Sequence, residues 1–283
     1  MILIADGGST KCDWALLDRS GQLVFKTTTK GVNPNITTPE EIRERIESNE
    51  SLHNIFNSVG ELYFFGSGCG APQSRNVLEK VLESLFPYTH LEVKEDTVGA
   101  VRAVTSDAGI VCILGTGSNS CYFDGEEIHH PIPSLGYVLM DEAGANYFGK
   151  QLLNDYFYKR MPEHIAKEFS DNYNLIPDEI LINLYKKPFP GIYLAGFSKF
   201  IFSESRTVES EPYFSELIRK GIVYFIENRI LTFQNAHQVP IHFVGSVAYF
   251  SEPIIKNCFK EFGLQLGNIV RYPIDGLIEY YQN

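Results

Sequence analysis

The chain opens with Met1-Ile-Leu-Ile-Ala-Asp6-Gly-Gly-Ser-Thr10-Lys-Cys-Asp-Trp-Ala-Leu-Leu-Asp18, and this stretch decides the fold. An apolar run over residues 2–5 leads into Asp6, and after two glycines a second run alternates apolar and polar residues. This pattern predicts a β-strand, a glycine turn and a returning strand. The glycines permit a tight turn with uncovered amide groups, and the hydroxyls of Ser9 and Thr10 add donors at the same place. The turn is suited to a phosphate, although the stretch alone also fits an ordinary hairpin with a solvated Asp.

The same device returns near the middle of the chain. Residues 110–114 form an apolar run, Gly115-Thr116-Gly117-Ser118 makes a second glycine and hydroxyl turn, and residues 119–123 predict a returning strand. Two copies of one device indicate two related halves, and 283 residues exceed the usual length of one domain. We therefore predict one domain over residues 1–107 and a second over residues 108–283.

Composition and charge exclude several classes of partner. Hydrophobic residues make up 44% of the chain, which is enough for substantial cores. The formal net charge of -11 would repel a phosphodiester backbone or an anionic membrane surface, so neither nucleic acid nor a membrane is expected as a partner. No apolar run approaches the roughly 18 residues that a membrane span needs, and the first residues lack the basic segment of a signal peptide. These features predict a soluble protein.

The cysteines indicate a reducing compartment. They are odd in number, lack C-x-x-C spacing and mostly lie in apolar, strand-like runs: Cys12, Cys69, Cys112, Cys121 and Cys258. Such residues are typical of buried, reduced thiols rather than of disulfides or a metal site. We therefore expect a cytoplasmic protein.

The residues between the two hairpins alternate between strand and helix patterns. A third strand over residues 22–28 completes an antiparallel meander. Thr38-Pro39-Glu40-Glu41 combines an N-cap, a proline at the first helical position and the Glu of a capping box, which predicts the start of a helix. Strands at residues 62–65 and 91–93 then alternate with helices, one of which opens at Glu95-Asp96-Thr97. This alternation predicts parallel strand pairing in an α/β fold.

The second half is mostly helical after its hairpin. A glycine-punctuated stretch over residues 134–146 leads into a helix that ends near residue 158. Further helices are predicted over residues 162–171, 178–184, 197–202 and 213–233. A strand over residues 241–244 ends in Gly245-Ser246, and a last helix lies within about residues 273–283. Whether this helix returns to pack on the first domain is left open.

A phosphate held by two facing glycine hairpins requires a cation, because several anionic oxygens cannot gather without neutralisation. Asp6, at a strand end beside the first turn, is placed to hold Mg²⁺ through water. Adding the later glycine turn gives a three-part nucleotide signature: Asp6-Gly7-Gly8-Ser9-Thr10, Leu114-Gly115-Thr116-Gly117-Ser118 and Val244-Gly245-Ser246-Val247. In this order the three parts resemble the two phosphate loops and the adenosine loop of the acetate kinase, sugar kinase, Hsp70 and actin superfamily.

A closer resemblance lies within that superfamily. The chain is similar to N-acetylglucosamine kinases and their BadF/BadG/BcrA/BcrD-type ATPase relatives in these motifs: Asp6-Gly-Gly-Ser-Thr-Lys11, Gly31-Val-Asn33, Glu95-Asp96, Leu114-Gly-Thr-Gly-Ser-Asn119, Gly136 with Asp141-Glu142, Ala195-Gly196-Phe197 and Val244-Gly-Ser-Val247. It departs from these kinases at Leu135, where they usually carry Trp, and it lacks their glycine-rich C-terminal motif. The resemblance implies an α/β protein of two actin-like (ribonuclease H-like) ATPase domains, with mixed central sheets flanked by helices and an active site in the cleft between the domains.

The resemblance also implies an activity and a set of contacts. The activity is ATP-dependent phosphorylation of the 6-hydroxyl of an N-acetylated amino sugar, with N-acetylglucosamine the favoured acceptor and ATP and Mg²⁺ as cofactors. Asp96 would be the base, since in phosphoryl transfer a carboxylate accepts the proton of the attacking hydroxyl. The residue alone also fits a helix N-cap or first-turn position. The remaining contacts would be Gly8, Ser9, Thr10, Gly115, Thr116, Gly117 and Ser118 with the phosphates, Ala195, Gly245 and Ser246 with the nucleoside, and Asn33, Asp96, Ser134, Leu135, Gly136 and Asp141 with the sugar.

Other functions stay open. One is a non-kinase ATPase of the BadF/BadG type that activates a partner enzyme through an iron–sulfur cluster shared between two subunits, for which Cys69 is the supporting feature. Another is an actin-like assembling protein. A homodimer is also left open. Several polar residues have ordinary expected roles: Lys11 and Asn119 as strand residues, His129 and His130 as solvated neighbours on opposite faces of a strand, and Glu142 as a support of the site or the start of a helix.

Overall fold

In the computed structural model, which describes residues 1–202 and 212–282, two five-stranded mixed sheets are flanked by helices. The chain divides into two units around these sheets. The first unit comprises residues 1–106 together with the segment that begins at Tyr272, and the second comprises Asp107–Arg271. The predicted α/β class with mixed, helix-flanked sheets is confirmed. Residue 283, at the end of the predicted last helix, lies outside the described residues.

The first sheet has the strand order β3-β2-β1-β4-β5. Its strands are β1 (Ile2–Gly7), β2 (Lys11–Leu17), β3 (Leu23–Lys30), β4 (Glu61–Gly66) and β5 (His90–Glu95). The first three strands pair antiparallel, which confirms the predicted meander. β4 pairs parallel with β1 and with β5, as the strand–helix alternation predicted. The carboxyl ends of β1, β4 and β5 therefore lie along one edge of the sheet.

The helices of the first unit begin where the sequence signals place them. They are α1 (Pro39–Glu47), α2 (Glu50–His53), α3 (Pro72–Leu85) and α4 (Asp96–Val104). At the start of α1 the hydroxyl of Thr38 accepts from the backbone N–H of Glu41, and the Glu41 carboxylate accepts from the N–H of Thr38, so the capping box forms. Ile42 and Ile46 turn the apolar side of α1 into the core.

The second sheet repeats the opening hairpin in the order β10-β9-β6-β7-β8. Its strands are β6 (Gly109–Leu114), β7 (Ser118–Phe123), β8 (Ile128–His129), β9 (Ile241–Val244) and β10 (Leu266–Val270). β6 and β7 form the second predicted hairpin, and β9 lies parallel to β6. Neither β8 nor β10 is predicted from the sequence, because β8 is two residues long and β10 contains Gly267 and Asn268 in place of an apolar run.

The helices of the second unit differ from the prediction in two places. The helices are α5 (Ala145–Phe157), α6 (Glu163–Asn172), α7 (Pro177–Tyr185), α8 (Pro190–Phe197), α9 (Pro212–Phe225), α10 (Ser246–Phe250) and α11 (Glu252–Phe262). The helix predicted over residues 197–202 is wrong in its bounds, because α8 begins at a proline that suits the first helical position and gives way to a 3-10 turn over Ser198–Phe200. The single helix predicted over residues 213–233 is also wrong, because α9 passes into a π-helical turn over Ile226–Ile230.

The last helix, α12 (Pro273–Gln282), packs on the first unit against α4, β1 and β2. Ile274, Leu277 and Ile278 form a cluster with residues of the first sheet that include Ile4 and Phe65. A Cβ atom at Gly276 would overlap the carbonyl oxygen of Ala103, so the two helices approach at the distance that only glycine allows. Within the described residues, none of the helices is both long and apolar enough to span a bilayer.

Candidate active site

The first glycine loop is closed by one backbone bond and braced from β3. The N–H of Gly8 donates to the carbonyl of Lys11 (2.9 Å), which closes the turn between β1 and β2. The N–H of Gly31 donates to the carbonyl of Thr10 (3.0 Å), and a Cβ at Gly31 would overlap the backbone of Ser9. The loop is thus held by the residues that follow β3, and its shape does not depend on the turn alone.

Asn33, predicted to contact the sugar, lies against this loop. Its Nδ2 donates to the hydroxyl of Ser9 (2.8 Å), and its Oδ1 accepts from the N–H of Asn35 (2.9 Å). The side chain is buried. The structure therefore brings Asn33 together with the first glycine loop, while its contact with a sugar stays a prediction.

Three carboxylates gather near the end of β1. Burial, together with the neighbouring charges of Asp13 and Asp96, raises the pKa of Asp6 to about 7. Asp13 is held in β2 by the hydroxyl of Thr28 (2.8 Å) and the ammonium group of Lys11. Concentrated negative charge of this kind fits a divalent cation, which would favour the ionised form of Asp6. Among the described residues, no group of three or more His, Cys, Asp or Glu side chains is arranged to hold a metal ion, and the water-mediated contact of Asp6 with Mg²⁺ stays a prediction.

Asp96 lies at the same edge of the sheet, on the first turn of α4 after β5. Its Oδ2 accepts from the hydroxyl of Ser67 (2.8 Å), and the N–H of Ser67 donates to the carbonyl of Gly7 (2.8 Å) at the end of β1. Glu95 occupies the N-cap position, so Asp96 is a first-turn residue and not the cap. A carboxylate on the first turn of a helix lies in the favourable field of the helix dipole.

The second glycine loop is held by the start of α5. Within the loop, the N–H of Gly115 donates to the carbonyl of Gly117 (3.0 Å) and closes the turn. The first N–H groups of α5, those of Ala145 and Asn146, donate to the carbonyls of Gly115 and Thr116 (2.9 Å each). These two carbonyls are thus turned towards the helix, which limits the repulsion that a phosphate would meet at the loop.

Asp141, also predicted to contact the sugar, braces the second loop. Its Oδ1 accepts from the N–H of Ser118 (3.2 Å), and its Oδ2 accepts from Nδ2 of Asn146 (2.6 Å). The backbone of Asp141 and of Ala143 lies in the left-handed region, with φ of 69° and 56°. Such strain in residues other than glycine is typical of functional segments. Its carboxylate is buried and shared between loop and helix, and its sugar contact stays a prediction.

Residues 133–140, here called the acceptor segment, carry the other predicted sugar contacts. Ser134 and Leu135 are exposed, and Gly136 has a positive φ of 75°. Gly136 begins a turn, which is closed by a hydrogen bond from the N–H of Met140 to the carbonyl of Gly136 (2.8 Å). The ring of Tyr137 packs against Gly191 at the start of α8. The segment has neither strand nor helix structure, so its conformation depends on side-chain anchors.

The predicted nucleoside contacts lie in two places of the second unit. Gly245 has a φ of 114°, and a Cβ there would overlap the carbonyl oxygen of Leu114, directly before the second loop. Ser246 begins α10 at this point. Ala195 lies in α8, which packs on α5. The first two residues are thus brought next to the second loop by the parallel pairing of β6 and β9.

Sequence reasoning missed three residues that hold this machinery in place. Ser67 binds Asp96, Asn146 binds Asp141, and Arg229 binds the acceptor segment. Ser67 could have been found from its position after a strand in a glycine-rich loop. Arg229 could have been found as a charged residue at helical spacing from apolar Ile222 and Phe225, whereas nothing local marks Asn146.

His129 and Cys69 lie in surroundings that are ordinary for an exposed histidine and a buried cysteine. His129 is exposed and lies 2.6 Å from a carboxylate oxygen of Asp124. Burial raises the pKa of Cys69 to about 12, and the nearby charge of Asp96 contributes. This shift favours the neutral thiol over the thiolate that binds metals.

Comparison with known structures identifies the class of protein. No family model matches the chain. A ROK-family glucokinase from Streptomyces griseus, solved with glucose and AMPPNP, shares the fold with a TM-score of 0.59 at 14% identity over 99% of this chain and 97% of that one. A candidate N-acetylglucosamine kinase from Chromobacterium violaceum gives a TM-score of 0.74 at 14% identity, with coverage of 99% and 98%. The fold is that of the two-domain, actin-like sugar kinases.

A third structure is much more similar in sequence. A candidate N-acetylglucosamine kinase from Porphyromonas gingivalis is 36% identical to this chain and gives a TM-score of 0.91. The match covers 100% of this chain and 99% of that one. The chain belongs to the family of that protein, the N-acetylglucosamine kinase family of actin-like ATPases. This membership confirms the resemblance found in the sequence.

Proposed function

We propose that the chain is an ATP-dependent sugar kinase that phosphorylates the 6-hydroxyl of an N-acetylated amino sugar, with N-acetylglucosamine as the first acceptor to test. The observation that carries the proposal is the anchoring of Asp96 by Ser67 at the sheet edge that also carries Asp6 and the first glycine loop. Family membership supports the reaction class. The choice of acceptor sugar comes from the kinases that are similar to this chain.

Asp96 acts as the general base. Its carboxylate takes the proton of the acceptor hydroxyl while that oxygen forms a bond to the γ-phosphorus of ATP. The bond between the γ-phosphorus and the bridging oxygen breaks, and ADP leaves with the electron pair. The hydrogen bond from Ser67 fixes one oxygen of the Asp96 carboxylate.

Each glycine loop contributes donors to the phosphates. The N–H groups of Gly8, Gly115 and Ser118 donate within the protein, so Gly8 and Gly115 shape the loops. The donors come from Ser9 and Thr10 in the first loop, and from Thr116, Gly117 and the hydroxyl of Ser118 in the second. Asp6, whose pKa is raised to about 7 by burial and by neighbouring like charges, would hold Mg²⁺ through water, and the ion would supply neutralisation of the phosphate charge. Ser246 and Ala195 lie near the nucleoside, and Asn33, Asp141 and residues 134–136 hydrogen-bond or contact the sugar.

The direct test is ADP release by the purified chain with ATP and Mg²⁺ against a panel of hexoses and N-acetylhexosamines. We expect release to depend on an N-acetylated hexosamine and the product to carry phosphate at the 6-position by NMR. ADP release that no sugar stimulates would contradict the proposal and favour the non-kinase ATPase alternative.

Replacing Asp96 with Asn tests the base. We expect Asp96→Asn to lower kcat by roughly 10²–10⁴, because an amide of the same shape cannot accept the proton. ATP binding, measured by calorimetry, should change little. The control is Asp275→Asn, which removes a half-exposed carboxylate of the same unit that pairs with Lys26. Turnover of Asp96→Asn close to that of the control would exclude Asp96 as the base.

A further inference from the structure

The side chain of Arg229 is almost completely buried, at 2% exposure, in the π-helical turn that follows α9. Such turns insert one extra residue in a helix and frequently occur at functional sites. Among the described residues, two buried atoms here have no hydrogen-bond partner, namely Nε of Arg229 and Oε2 of Glu142. A buried arginine is costly, and an apolar side chain of similar volume would often serve stability equally well. Stability alone therefore does not explain this residue.

The guanidinium group of Arg229 holds the acceptor segment at both of its ends. Nη1 donates to the carbonyl of Pro133 (3.3 Å) and lies 3.5 Å from the sulfur of Met140. Nη2 donates to Oδ1 of Asn119 in β7 (3.0 Å), the residue that follows Ser118 of the second loop. The first and last residues of an otherwise irregular segment are thus tied to one rigid planar group.

The positive charge of Arg229 is also complementary to the carboxylates that follow the segment. Burial lowers the pKa of Arg229, while the carboxylates of Glu142 and Asp141 act to raise it. The same positive group therefore stabilises two buried carboxylates beside the acceptor segment and the segment itself. Removing it would release the segment and take a nearby positive charge away from both carboxylates.

We propose that Arg229 is the positioning residue that sets the affinity for the acceptor sugar, by holding residues 133–140 in their binding conformation; this role rests on the proposed kinase function. Arg229 does not touch the reacting atoms. Its contacts are with the segment that carries Ser134, Leu135 and Gly136, so its loss weakens sugar binding in the ground state and the transition state alike. Uniform weakening of this kind raises KM and leaves kcat nearly unchanged.

The test compares Arg229→Lys and Arg229→Met with Arg219→Lys and Arg219→Met. Arg219 lies on α9 and is half-exposed in an ion pair with Glu261, so it is a matched control. Lysine keeps the charge at residue 229 but cannot present a planar fork to several acceptors. We expect KM for the sugar to rise about tenfold in Arg229→Lys and further in Arg229→Met, with KM for ATP and kcat within about threefold. The Arg219 variants should match the wild type.

Hydrogen–deuterium exchange without substrates provides the second readout. Arg229→Lys should speed exchange in residues 133–140 but not in β6 or β7. The proposal is overturned by an unchanged sugar KM, by equal increases in both KM values, or by unchanged exchange in the segment. If the wild type phosphorylates no sugar, the kinase proposal fails, and exchange still decides whether Arg229 holds the segment. If Arg229→Met does not fold, Arg229→Lys carries both readouts.

Discussion

Asp6 and Asp96 are neighbouring carboxylates at one sheet edge for which we propose different roles. Asp6 is surrounded by the charges of Asp13 and Asp96, which suits an anchor for a hydrated cation. Asp96 accepts a hydrogen bond from the hydroxyl of Ser67 and lies on the first turn of α4. Both features suit a carboxylate that is proposed to accept a proton. The surroundings, and not the residue type, separate the two roles.

His242 shows a different use of a buried polar residue. Its ring lies in β9 between Gly109 and Gly267, where a Cβ atom at Gly267 would be 2.6 Å from Nδ1. Nδ1 accepts from the backbone N–H of Asn268 (3.0 Å). Burial lowers the pKa of His242, so the ring is neutral in the folded state. The two glycines provide the space for the ring on neighbouring strands.

The lowered pKa of His242 predicts acid sensitivity. Above about pH 6.5 the ring is neutral in both states and contributes no pH dependence. As the pH falls below this value, the unfolded chain takes up the proton first, so the free energy of unfolding decreases until the lowered folded pKa is reached. We expect His242→Gln to lose less stability than the wild type between pH 7 and pH 5 in urea unfolding.

The exposed His237 supplies the control for this prediction. His237→Gln makes the same substitution at an exposed histidine and should follow the wild-type pH profile. Identical profiles for His242→Gln and the wild type would show that the buried ring does not contribute to acid sensitivity.

At the scale of elements, the packing of α12 on α4 depends on the absence of a side chain at one position. Gly276 lies where the two helices approach most closely, against the backbone of Ala103. Helix propensity alone would favour alanine over glycine by about 1 kcal/mol. Steric overlap with a backbone oxygen opposes this gain, and a backbone oxygen cannot move aside as a flexible side chain can.

We therefore expect Gly276→Ala to destabilise the chain by roughly 1–3 kcal/mol, the usual cost of overpacking. The matched control is Gly196→Ala in α8, where a Cβ would meet no atom within 4 Å. There the propensity term should dominate, so the substitution should be neutral or stabilising. Urea denaturation of the two variants measures both signs, and a stabilised Gly276→Ala would contradict the observed packing.

At the scale of the whole molecule, each unit has its own core. One large apolar cluster lies within the second unit, and two clusters lie within the first. Leu277 is completely buried in the smaller cluster of the first unit, with Ala15 and Leu17 of β2. Residues from the end of the chain thus complete the core of the unit in which the chain begins.

Leu277→Ala should therefore loosen the N-terminal strands. Removing a buried leucine side chain costs about 2–5 kcal/mol. We expect faster hydrogen–deuterium exchange in β1 and β2, with little change in β6 and β7. The control Leu181→Ala removes a half-exposed side chain of the second unit, at 52% exposure, and should leave both pairs of strands unchanged. Equal acceleration in both hairpins of Leu277→Ala would contradict separate cores.

The sequence by itself determined the features that depend on neighbouring residues. Both glycine hairpins, the capping box at Thr38 and the place of Asp96 after a strand follow from turn chemistry, capping and hydrophobic periodicity, which act over a few positions. The family also followed from the sequence, because its motifs are short and keep their order. These local signals were enough to predict the α/β class and to propose the reaction.

Only the tertiary structure decided which distant residues meet. The contacts of Ser67 with Asp96, of Asp141 with the second loop and of Arg229 with the acceptor segment join residues far apart in the chain. A local pattern can mark one of these residues, but it does not say which partner that residue meets. The same holds for α12, whose apolar side could have faced either unit. Helical periodicity says that a face is buried, but the choice of partner depends on shape and packing that form only when the whole chain folds.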